Sequence, residues 1–292
     1  PGKPLYNVAL LLPLTLGDIN YDFVPTDSVP TDALSKDVLN ALEFYEGVEY
    51  AIDSLVSKDV RIHLSVYDTN DDSLTTALLL KEWRLKDVDF IISQNNLALQ
   101  KMVNKYSMEH HIPLFTFHLN MSNEALKGNS NAWALQPSAY TQCFEASDFF
   151  AKRFADANPL IIKTRSFKEN ERASAFQSGW IGNPSVAKPK VIDFTDIDTN
   201  AVLNALVKNK KNVLFITSSN EDVVNPLLLV LRSHKEEFDM TIMGLPTWQY
   251  FESIDVEILE GLNTHIFTAA RHNEAALPAF RDRFRKDYLT EP

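Results

Sequence analysis

Cysteine is nearly missing from this chain. Its one thiol, Cys143, rules out an intrachain disulfide and any metal site of the repeated Cys/His kind. Glycine is scarce too, with eight in 292 residues. None falls in a Gly-rich loop after a strand, so no phosphate-cradling motif is written here, and no Gly-x-Ser-x-Gly elbow exists. No apolar run approaches the roughly 18 residues of a membrane-spanning helix. Positive charge is in deficit, with 28 basic against 39 acidic residues and a net charge of −11. A nucleic-acid partner is therefore not expected, since phosphate backbones are met by basic patches. The nearest basic cluster, Lys208-Asn-Lys-Lys211, reads as the end of a helix before a strand.

What is present is a full complement of core material. Apolar residues make up 45% of the chain and charged residues 23%, as in an ordinary globular protein. The length suits about two domains. The opening run Asn7–Leu14 is continuously apolar, as a strand buried on both faces of a parallel sheet must be. A Pro- and Asp-rich loop, residues 18–37, follows it. Then Leu39, Leu42, Tyr45, Val48 and Ile52 recur at helical spacing. Gly47 sits in that helix, where close approach to the sheet would account for it. Arg61–Thr69 is the second strand.

The alternation continues along the chain. A helix is expected over Leu74–Lys86, capped by the Asp68–Ser73 turn, then strand Val88–Ser93, helix Leu97–His110 and strand Ile112–Phe117. Trp133–Gln136 is short and apolar, and Pro137–Tyr140 breaks the pattern. A second round runs through helix Gln142–Ala157, strand Pro159–Lys163, helix Asn170–Trp180 and strand Pro189–Phe194. Helix Asn200–Lys208, strand Asn212–Thr217, helix Asp222–His234, strand Met240–Met243 and strand Thr264–Thr268 complete it. A last helix, Glu274–Tyr288, carries Leu277, Phe280, Phe284 and Tyr288 on one face. Two rounds of strand–helix units predict an α/β protein of two doubly wound parallel-sheet lobes. The expected bounds are 1–139 with 268–292 for lobe 1, and 140–267 for lobe 2.

Several stretches carry a resemblance. Val8-Ala-Leu-Leu-Leu-Pro-Leu-Thr15, Phe44-Tyr-Glu-Gly-Val-Glu-Tyr-Ala-Ile-Asp53, Val66-Tyr-Asp-Thr69, Asp89-Phe-Ile-Ile-Ser93 and Ile112-Pro-Leu-Phe-Thr116 resemble the type I periplasmic binding proteins. These are the leucine/isoleucine/valine-binding class and its receptor relatives. The resemblance implies two lobes that close by hinge motion around a small polar ligand, service to an ABC transporter in the membrane, and a place outside the cytoplasm. No cofactor is expected, and for want of any nucleophile–base pair no catalysis either. Family chains continue past a helix like the last one here, so lobe 1 is expected to be incomplete. The Pro1-Gly2 opening without Met reads as an excised piece whose targeting segment lies elsewhere.

Ligands of open parallel sheets sit beyond the carboxyl ends of strands. The candidate residues are therefore Gly17 after the first strand, Gln94, Asn95 and Asn96 after the third, and Thr116, Phe117 and His118 after the fourth. Tyr140 stands near the hinge, and Ser218, Ser219, Thr247 and Trp248 on lobe 2 loops. Each has a structural alternative. Asn95, Asn96 and the two serines stand where helix caps stand, Trp248 is as readily a packing residue as a stacking platform, and His118 as readily a bonded structural histidine. Arg165 is a solvated loop cation or an anion contact. Asp68, Asp71 and Asp72 lack a Gly-bearing calcium loop and read as a cap, so no metal is expected.

The family's Ser/Thr-rich carboxylate loops are replaced here by Gln94-Asn-Asn96 and Thr116-Phe-His-Leu-Asn120. The turn that brings an acid to the ligand ammonium reads Gly244-Leu-Pro-Thr-Trp248, without one. An α-amino acid is thereby disfavoured, since a buried ammonium without a carboxylate partner is costly. The eroded motif also fits a relative of the same fold that serves as a peptidoglycan-associated cell-envelope scaffold, such as the domains attached to LysM modules. Such a domain acts through protein or cell-wall partners with nothing in its cleft.

Overall fold

The computed structural model describes residues 5–18, 35–56, 59–117, 123–183, 186–194, 198–268 and 277–289. They form two compact units, Pro1–Gln136 with His272–Pro292, and Pro137–Arg271.

The first unit is built on β1 (Tyr6–Leu12), with β2 (Ile62–Asp68), β3 (Phe90–Ser93), β4 (Leu114–Thr116) and β5 (Ala132–Ala134). All pair in parallel, in the order β2-β1-β3-β4-β5. The apolar run of β1 serves both faces. Ala9 and Leu11 enter one cluster with Ile91, Val103 and Leu114, while Leu10 and Leu12 enter another with Leu14 and Ala41. Helices α1 (Lys36–Val56), α2 (Ser73–Leu79) and α3 (Leu97–His110) connect the strands.

Here the local readings need correction. The helix expected over Leu74–Lys86 is α2, ended by a capping turn at Leu80, and then a separate 3-10 turn over Trp83–Asp87. The break brings Leu85 into the core. Trp133–Gln136 overlaps a true strand, β5, too short to show a period. Gly47 is not compelled by close packing, because a Cβ there would meet nothing within 4 Å. The last helix, α9 (Leu277–Tyr288), joins this unit. Its aromatic face rests on α1, with Phe280 5.1 Å and Phe284 6.2 Å from Tyr50, and the Tyr288 hydroxyl donates to the Glu46 carbonyl.

The second unit holds β6 (Asn158–Lys163), β7 (Lys190–Asp193), β8 (Asn212–Ile216), β9 (Met240–Gly244) and β10 (Thr264–Ile266). They too are parallel, in the order β10-β9-β8-β6-β7. Every residue of β8 and β9 is buried. Helices α4 (Ala139–Arg153), α5 (Phe167–Ile181), α6 (Thr199–Leu203), α7 (Glu221–Ser233) and α8 (Val256–Gly261) surround the sheet. A single core runs through the unit, and Phe176 stacks on Phe215 at 4.4 Å. Where α5 crosses α4, a Cβ on Gly179 would collide with the Phe144 carbonyl, so only glycine fits.

Helix α4 begins three residues before its expected start, because the Ser138 hydroxyl accepts from the Thr141 amide and nucleates the turn. Tyr140 thus lies in the first turn of this helix. The cap of α7 is Asn220, whose side chain accepts from Asp222 N, and not Ser218 or Ser219. Helix α8, six residues long, went unread in the sequence. No helix among the described residues is long and apolar enough to cross a membrane.

Candidate functional site

The polar ground of the first unit lies beyond the carboxyl ends of β1, β2 and β3. Asp68 organises it from the end of β2. Its carboxylate accepts from the amides of Leu14, Thr15, Leu16 and Asn70, at 2.8–3.1 Å. That pins the loop after β1 to the sheet. Thr15, Asn70 and Asp71 all take left-handed backbone, with φ of 48°, 51° and 46°, so the chain turns sharply at the rim. Asp72 then caps α2 through the Thr75 amide, which holds its carboxyl below the usual range.

Below this rim the four candidate groups separate. Asn95 is 1% exposed and wholly spent on the interior. Its amide donates to Ser93 Oγ and the Leu11 carbonyl, and its carbonyl accepts from Thr69 Oγ1 at 2.7 Å. It ties three strand ends together, and with both amide hydrogens engaged it has none left to donate to a ligand. Asn96 caps α3 by accepting from Ala98 N and Leu99 N, and its amide donates to Asp71 at 2.7 Å. Gln94 differs. Its Oε1 is buried and has no hydrogen-bond partner among the described residues. Gly17 lies exposed in a 3-10 turn, with no neighbour among the described residues within 4 Å of where a Cβ would stand.

A cavity of about 280 Å³ opens at this rim. Thr15, Ser35, Asp37, Asn40 and Asp71 line it, together with Gln94, Asn95 and Asn96. In the sequence Asp37 and Asp71 read as helix-cap candidates, Asp71 also being weighed as a metal ligand, and neither as a ligand contact. Nothing distinguishes such a carboxylate from a helix cap until its neighbours are known. Thr116 is buried at the end of β4. Phe117 meets Phe44 edge to face at 4.8 Å and lines a second, apolar cavity of about 670 Å³ beneath α1. His118 lies outside the described residues.

In the second unit the expected ligand groups divide between core and surface. Trp248 is 2% exposed, sits over Gly244 and donates from Nε1 to the Ser218 carbonyl at 2.9 Å. Its ring is a core element and not an open stacking surface. Ser218 is buried, and its hydroxyl accepts from the Asn220 amide. Ser219 and Thr247 are exposed, and Tyr140 is half-buried, its hydroxyl 3.5 Å from Ser178 Oγ. A network the sequence did not reveal lies beneath these loops. Buried Glu169 accepts from the Thr164 amide and Thr217 Oγ1, and Arg172 donates to the Thr217 carbonyl. Burial lowers the Arg172 guanidinium and pushes the Cys143 thiol up to about 12, so the thiol is protonated and inert at neutral pH.

Among the described residues no group of three or more His, Cys, Asp or Glu side chains could hold a metal. Each aspartate of the 68–72 turn has its own structural task, as set out above.

No protein-family model matches the chain, and no curated protein sequence does. Solved structures do match. A branched-chain amino acid ABC transporter protein from Rhodospirillum rubrum aligns over 98% of this chain and 78% of its own, with TM-score 0.69 and 11% identity. A substrate-binding protein from Desulfitobacterium hafniense in complex with Leu aligns over 99% and 78%, with TM-score 0.57 and 11% identity. A solute-binding protein from Rhodopseudomonas palustris BisB5, in complex with 3,4-dihydroxybenzoic acid, aligns over 99% and 76%, with TM-score 0.53 and 10% identity. The two parallel five-stranded sheets with flanking helices are the fold of these type I binding proteins.

Proposed function

We propose that this chain is a non-enzymatic solute-binding protein acting outside the cytoplasm, taking a small polar ligand and serving an ABC transporter. The observation that carries this reading is the polar cavity at the carboxyl ends of β1 and β3, with a buried acceptor, Gln94 Oε1, that has no partner among the described residues. Parallel sheets place their ligand sites at such ends. The fold adds support, since neighbours of the same architecture are described as substrate-binding and one is described with Leu bound. In this reading ligand uptake is coupled to closure of two lobes.

A thermal-shift screen of amino acids, amines, sugars and muropeptides tests it. A ligand at 100 times its dissociation constant stabilises the folded state by about 2.7 kcal/mol. A shift that Gln94→Leu abolishes supports the reading. No shift from any compound removes it and favours the envelope scaffold. That second reading rests on Asn95, Ser218 and Trp248, which are buried and bonded within the protein and so give the loops fewer ligand groups.

A further inference from the structure

We infer that the rim cavity of the first unit selects a cationic amine, an inference that rests on the solute-binding reading above. Two helix N-termini reach this cavity, and helix N-termini ordinarily attract anions. Both are already partly closed. Two of the free amides of α3, at Ala98 and Leu99, are taken by the Asn96 side chain. At α1 the Val38 amide goes to Ser35 Oγ and the Leu39 amide to the Ser35 carbonyl. An anionic ligand would find these donors occupied.

The groups that remain are acceptors. Asp37 and Asp71 both face the cavity and both reach solvent. Asp71 receives one bond from Asn96, on Oδ1, which orients the carboxylate at the rim. Gln94 Oε1 waits between the strand ends, buried, with no donor among the described residues. No Lys, Arg or His is among the described residues that line the cavity. A buried carbonyl oxygen without a donor is costly to leave so, and a ligand N–H removes that cost. An ammonium brings up to three donors and the complementary charge.

The test uses the whole chain and three small probes of similar length at low salt: putrescine, 1,4-butanediol and glutarate. Calorimetric titration is expected to show binding of putrescine and none of glutarate. Asp37→Asn with Asp71→Asn should weaken putrescine at least about tenfold, roughly 1.4 kcal/mol. Glu236→Gln, a surface change in the second unit, should leave it unaltered, which separates the cavity from the general negative charge. Unchanged melting temperatures confirm that the variants fold. Equal loss in the Glu236 variant, or no loss in the double variant, overturns the inference. If the diol or glutarate binds instead and Gln94→Leu abolishes it, the solute-binding reading stands and the cation preference falls. If no probe and no screened compound binds, both fall.

Discussion

The two units share a five-stranded parallel plan but bury it differently. In the second, β8 and β9 are buried at every position and the core is one continuous cluster. In the first, β3 and β4 alternate between buried and half-buried residues, and the core is split into two clusters on opposite faces of β1. The half-buried residues, Phe90, Ile92, Phe115 and Phe117, line the apolar cavity beside α1. Trp133 and Leu135 near them are 45% and 47% exposed. A parallel sheet is stable when helices cover both faces. The second unit meets that condition across its middle strands, and the first meets it over β1 most fully. Core mutations should therefore weigh unequally on the two.

The largest effect is expected for Phe215→Ala. Its ring is fully buried and stacked on Phe176, so loss of transfer energy and a residual cavity should cost about 3–5 kcal/mol, read from urea midpoints. Phe115→Ala, on the half-covered face, should cost only about 1–2 kcal/mol. Equal losses would erase the contrast between the units. Next come two glycine changes of opposite sign. Gly179→Ala should destabilise by about 1–3 kcal/mol by overpacking against α4. Gly47→Ala should stabilise by about 0.5–1 kcal/mol, since its helix is open there and alanine is the better helix former.

The smallest effect is acid sensitivity. Asp148, Asp193, Glu221 and Glu237 in the second unit are held below their ordinary values, chiefly by hydrogen bonds from Lys152, Lys163, Ser253 and Lys208. Only Asp72 is so held in the first unit among the described residues. A depressed carboxylate contributes stability above its unfolded value, here 3.8 for Asp and 4.5 for Glu, and loses it as pH falls through the lower folded value. All these groups are at the surface, so the loss should be slight and should shrink in salt. Urea midpoints at pH 6 and pH 3, with Lys152→Ala as control, measure it.

The fold was readable wherever an apolar run was long enough to show its period. Val8–Leu12, Asn212–Ile216 and Met240–Gly244 became the buried strands their composition demanded. The three residues of β5 and six of α8 carry less than two periods, and so escaped. The site was readable in position and not in role. Loops at strand ends did supply the cavity, yet Asn95 and Trp248 are buried and bonded inside their units while Asp37 and Asp71 lie exposed at its rim. An amide or carboxylate beside a helix start is equally a cap or a contact. Only its partners decide, and those lie 25 or more residues away, as Asp71 does from Asn96 and Thr69 from Asn95.

The lone thiol has a use beyond packing. Cys143 is sealed in the second unit, with its ionisation suppressed by burial. An alkylating reagent can reach it only when that unit opens, so the labelling rate clocks its excursions. The protein thus carries its own stopwatch, placed in the better-covered of its two halves, and read in a mass spectrometer without adding any foreign group to the native chain.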